Sequence, residues 1–109
     1  MRYTLKLHGV TVGWSELESF DATEHRAWGV FRPGLGYDLV QPVFALFTQA
    51  VPMKGGEPRD KETLARYHAA RDKLGLELFD ANGVKVKTGT IHLAEYGGVI
   101  EMEVLVSER

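Results

Sequence analysis

The chain opens on alternation. Tyr3, Leu5 and Leu7 are interleaved with Thr4, Lys6 and His8, and after Gly9 the apolar positions resume at Val10, Val12 and Trp14. A period of two places successive side chains on opposite faces of a strand, so this stretch predicts two strands joined by a tight hairpin at His8-Gly9. The second strand continues toward Phe20 only with a bulge or short turn, because Leu17 and Phe20 are three apart. The polar run Asp21-Ala22-Thr23-Glu24 leads to a third strand over His25 to Phe31, rich in aromatic and β-branched residues. Arg32-Pro33-Gly34-Leu35-Gly36 ends it, since proline lacks a ladder donor and glycine opens unusual dihedrals.

The middle of the chain changes period. Gln41 to Ala50 is apolar nearly all round, with Pro42 suited to a first helical turn and Pro52 barring extension, which predicts a short helix buried on most sides. After the Gly55-Gly56-Glu57-Pro58 loop, Asp60 is placed to cap a second helix that runs to Leu74 and stops at Gly75, with Leu64, Tyr67 and Leu74 on its buried face. Alternation then returns. Leu76 to Phe79 and Val84 to Lys87 flank Asn82-Gly83, the strongest short hairpin signal. The apolar phase slips across Thr88-Gly89-Thr90, which predicts a bulge. Ile100, Met102, Val104 and Val106, opposed by Glu101 and Glu103, form a half-solvated last strand. The expected class is α+β, a mainly antiparallel sheet in the order three strands, two helices, three strands.

At 109 residues the chain is the size of one domain, 1–109. Its 44% hydrophobic and 26% charged residues are those of a globular chain. A formal charge of -2 supplies no field for nucleic acid. Cysteine is absent, which excludes disulfides, thiolate metal sites and a Cys nucleophile, and suits a cytoplasmic setting. The alternating N-terminus reads as no signal peptide, and no apolar run approaches the roughly 18 residues of a membrane span.

Catalytic motifs fail on inspection. Gly13-Trp14-Ser15-Glu16-Leu17 lacks the second glycine of a nucleophile elbow, and Gly34-Leu35-Gly36-Tyr37-Asp38-Leu39 lacks the third glycine of a dinucleotide loop. The four histidines His8, His25, His68 and His92 show no ligand spacing. Asp21, Glu24 and His25 form the closest metal or acid-base constellation, against the plainer reading of a solvated acidic turn. His68 is accounted for by a surface pair with Asp72, and His92 and Glu95 point to opposite faces. Trp14, Trp28, Arg32, Tyr37 and Asp38 are the candidate ligand or partner contacts. Arg32, Tyr37 and Asp38 sit on a loop stiffened by Pro33, and outward-turned tryptophans would anchor an interface. The plainer reading packs Tyr37 on the first helix and leaves the tryptophans in the core.

Gly13-x-Ser15-x-Leu17-Glu18, then Gly29-x-Phe31-x-Pro33-x-x-x-Tyr37 and Val40-x-Pro42-x-Phe44, resembles a pattern in small uncharacterised bacterial proteins. The resemblance covers about the first half of the chain and implies a bacterial cytosolic origin; it carries over no catalytic residue. The sequence thus leads to a non-enzymatic protein-interaction domain, binding another protein or itself as a homodimer, with no cofactor, nucleic acid or membrane partner. The alternative is a small-molecule or metal-binding domain or hydrolase using Asp21, Glu24 and His25.

Overall fold

The computed structural model describes residues 1–106. It is α+β with an antiparallel sheet. The strands are β1 (Tyr3–Leu7), β2 (Val10–Ser15), β3 (Ser19–Asp21), β4 (Arg26–Pro33), β5 (Leu76–Phe79), β6 (Lys85–Val86), β7 (Thr88–Tyr96) and β8 (Val99–Val106). Between β4 and β5 come a 3-10 turn (Leu35–Leu39) and the helices α1 (Gln41–Ala50) and α2 (Lys61–Asp72). The order is therefore four strands, two helices, four strands rather than three, two, three, and the two extra strands come from breaks inside segments expected to be continuous.

The first break separates β2 from β3. Leu17 turns into the left-handed region (φ 46°), its N–H donating to Ser15 Oγ at 3.0 Å, and the chain resumes as β3. Both β2 and β3 pair with β4, β2 at Phe31 to Pro33 and β3 at Arg26 to Trp28. Where the ladder is interrupted, the Glu18 carboxylate accepts from Val30 N–H at 3.2 Å. Gly29 makes the crossing possible, because a Cβ there would lie 2.6 Å from Glu18 Oε2 and 2.9 Å from its backbone nitrogen. The second break, at Lys87, divides β6 from β7, and the expected bulge follows as a register shift between Thr88 and Ile91.

The ladder runs β6-β5-β1-β2-β4-β8-β7. Its two ends are consecutive in the chain, joined by Lys87 alone, so the sheet curls back on itself like a partly closed barrel. The interior holds Leu5, Val12, Phe31, Leu78, Ile91, Leu93, Ile100, Met102 and Val104. Along β7, which among the described residues pairs with β8 alone, α1 fills the seam and α2 packs on α1. Phe44 and Tyr67 are the helices' contribution to the core. Local signals are met where expected at two places: Asp60 Oδ1 accepts from Thr63 N–H at 3.0 Å, and Asn82-Gly83 turns β5 into β6. The second helix ends at Asp72 with Lys73 as its cap, short of the expected Leu74, and Gly75 follows at φ 70°. No helix among the described residues is long and apolar enough to cross a membrane.

Candidate interaction face and its adjoining groove

Alternation along β4 decides where the aromatic candidates point. Ala27, Gly29 and Phe31 face the interior, which turns Trp28, Val30 and Arg32 outward. Cross-strand register extends that outer face: Trp14 lies opposite Arg32, Glu101 opposite Val30, Glu103 opposite Trp28, and His92 opposite Glu103. One row therefore runs Ser19, Trp28, Glu103, His92 across four strands. Neither tryptophan is in the barrel core. Each is half-buried beneath arginines instead, Trp14 with Arg2 at 3.9 Å and Arg32 at 5.5 Å from its ring centre, Trp28 with Arg26 at 4.3 Å. Arginine over an indole face is an attractive arrangement that also holds the ring flat on the sheet.

Arg26 does a second job. Its Nη1 donates to Glu103 Oε2 at 2.5 Å, and its Nε lies 3.3 Å from Glu24 Oε1. Between these charges the face keeps apolar side chains in water: Val30 is 45% exposed, Leu105 43% and Val99 54%. Both charge signs are present but on different strands, arginines on β4 and glutamates on β8.

The face ends at a groove below the helices. Two adjoining cavities, of about 300 and about 270 Å³, share Phe47, His92 and Glu103 as walls. Tyr67 Oη and His92 Nδ1 are in hydrogen-bond contact, ringed by Phe44 and Phe47. Burial pushes the phenol up to about 12, partly opposed by Arg71, and burial pulls the imidazole down to about 4 against the opposing pull of Glu103. Both groups are consequently neutral near pH 7. The neutral pair ties the second helix to β7 through one hydrogen bond.

The other predicted contacts separate. Tyr37 turns inward, its ring 6.0 Å from Phe31, and burial together with Glu95 raises its hydroxyl above the usual range. Asp38 is exposed on the 3-10 turn. Arg32 and Trp14 meet on the sheet, so the loop does not form one grip with them. Asp21, Glu24 and His25 occupy the β3–β4 turn: Asp21 Oδ1 accepts from Thr23 and Glu24 N–H at 2.9 and 3.2 Å, and Glu24 is drawn to Arg26. No group of three His, Asp or Glu among the described residues could hold a metal ion. Asp72 pairs with Arg71 at 3.1 Å, while His68 stacks beside Tyr67.

No protein family, curated protein or solved structure matches this chain. Its chemistry must be read from its own surface. Sequence reasoning placed Tyr67 on a buried helix face and set His92 aside; the signal for joining them was that a buried tyrosine hydroxyl needs a partner.

Proposed function

We propose that this protein is a non-enzymatic interaction domain that self-associates through the outer face of β2, β4 and β8, in a bacterial cytosolic setting. The observation that carries the reading is the outward placement of Trp14 and Trp28 beside exposed Val30 and Leu105. Tryptophan and arginine are the residues most enriched where interfaces hold their energy. A second copy is the occupant best suited to the charge pattern. Turning one sheet over about a two-fold axis lays arginine-bearing β4 over the glutamate-bearing β8 of its partner, and the same pairing recurs on the other side of the axis. The bacterial setting rests on the sequence resemblance, and the cytosolic one on that resemblance and a cysteine-free chain.

The test is light scattering across a concentration series. The wild-type chain is expected to shift toward twice the monomer mass as concentration rises. Val30→Glu and Trp28→Ala, both on a solvated face, are expected to stay monomeric while keeping the wild-type circular dichroism spectrum. A wild-type chain monomeric at all concentrations would remove self-association, and co-purification of a different protein that Val30→Glu abolishes would reassign the face to that partner.

A further inference from the structure

The curled sheet has an open end, where β1 begins, β5 and β8 finish, and the β3–β4 hairpin and β6 stand around the rim. There the inward-facing side chains Tyr3, Leu17, Phe20, Leu78, Val86 and Val106 enclose a cleft of about 250 Å³. Leu78 and Ala27, nearly inaccessible to water, belong to its lining, whereas Phe20 remains 58% exposed. The cleft is on the interior side of the sheet, so it is separate from the outer face proposed for self-association. We infer that this mouth is a binding site for the ring or short alkyl portion of a small uncharged apolar molecule.

Three observations support that choice of ligand. First, among the described residues no charged side chain lines the cleft, and the Tyr3 hydroxyl is the one polar side-chain group in its lining. A charged ligand would lose its hydration there with nothing to replace it. Second, the site is a pit with buried residues in its lining, which a flat partner surface cannot fill; barrel mouths are common ligand positions for this reason. Its volume lies just below the ~300 Å³ at which pockets for whole drug-sized molecules begin, so one ring system or a short chain is the portion that enters. Third, the wall is shaped by a backbone irregularity. Leu17, a non-glycine residue at φ 46°, leaves the ladder and is part of the lining. Residues held in sparsely populated conformations gather at ligand clamps, where the surrounding structure sustains them.

The probe is N-phenyl-1-naphthylamine, an uncharged dye that brightens in apolar surroundings, titrated into the full chain and displaced with 1-decanol. Saturable binding of one dye per chain, reversed by the alcohol, is the expected result. Phe20→Ser, at the exposed rim, and Val86→Trp, which fills the cleft from the side, are each expected to weaken binding about tenfold. Both should keep the wild-type circular dichroism spectrum; Phe20→Ser alone suffices should Val86→Trp misfold. Trp28→Ala, on the opposite face of the sheet, should bind dye as the wild type does. The inference is overturned by unsaturable dye uptake, by unchanged affinity in Phe20→Ser, by loss of binding in Trp28→Ala, or by a stoichiometry of one dye per two chains, which would make the site an interface between copies.

Discussion

Gly29 shows how much one missing side chain can decide. The chain between β2 and β3 crosses so close to it that a methyl group would meet Glu18 within 3 Å, at both its carboxylate and its backbone. Gly29→Ala must therefore displace the crossing or the Val30 to Glu18 hydrogen bond, and overpacking of this kind costs roughly 1–3 kcal/mol. Urea denaturation should show the midpoint falling with little change in slope. The Tyr67 and His92 pair predicts a pH dependence. His92 titrates near 4 when folded and near 6.5 when unfolded, so between those values the unfolded chain holds a proton that the folded chain lacks. This contribution is complete above about pH 6.5 and is lost as pH falls toward 4, by at most about 3 kcal/mol. Tyr67, raised to about 12, acts at the other end: its contribution is lost as pH climbs past about 10. Denaturation at pH 7, 5 and 4 should reveal the acid loss, and His92→Leu should flatten it. The His92 ring proton in NMR spectra should keep its neutral position at pH 5.

At the scale of elements, what could be read from the sequence follows how local each cause is. The first helix was legible to the residue because Pro42 and Pro52 bracket an apolar run, and the start of the second because Asp60 caps it, although it ends at Asp72 and not at the expected Leu74. Asp60→Ala removes a cap whose carboxylate also accepts from the Thr63 hydroxyl at 2.7 Å, and should cost about 1 kcal/mol in thermal unfolding. Asn82-Gly83 fixed its hairpin equally well: Asp80 Oδ1 accepts from both Asn82 and Val84 N–H, and Gly83 takes φ 80°. The strand count was not legible. A bulge or short turn near Leu17 was foreseen from the three-residue spacing to Phe20, but whether β3 continues β2 depends on both pairing with β4, a contact between distant segments. The site divides in the same way. Alternation along β4 implies that Trp28, Val30 and Arg32 share a face, yet which face is buried is fixed by Phe31 entering the core and Ala27 lying opposite Val104 of β8. Tyr67 and His92 lie 25 residues apart on different element types, and no spacing rule joins them.

On the scale of the whole molecule, curling leaves one side of the sheet as core and the other largely uncovered. Stable protein interfaces bury about 800 Å² on each partner, roughly an eighth of this chain's 6760 Å². A face spanning β2, β4 and β8 offers area on that order, and its charge pattern makes the two-fold arrangement testable independently of its apolar contacts. Arg32 and Glu101 stand on neighbouring strands, with Glu101 opposite Val30. Glu101 has an exposed partner in Lys54 at 3.7 Å, a contact worth little on a wet surface and easily exchanged. In the two-fold pair proposed above, Val30 is level with the partner's Glu101, and the long side chain of Arg32, one step further along the same face, is expected to reach that carboxylate, with the contact occurring twice. Arg32→Glu alone creates two repulsive pairs, as does Glu101→Arg alone, so each variant should lose self-association measured by sedimentation. Carrying both changes in one chain restores opposite charges across the axis, and association should return toward the wild-type value. Each exposed pair contributes up to about 1 kcal/mol, so raising salt should weaken the wild type and the double variant by similar modest factors. If the double variant stayed monomeric while both single variants folded normally, β4 would not lie over β8, and the face would have to meet its partner in another orientation.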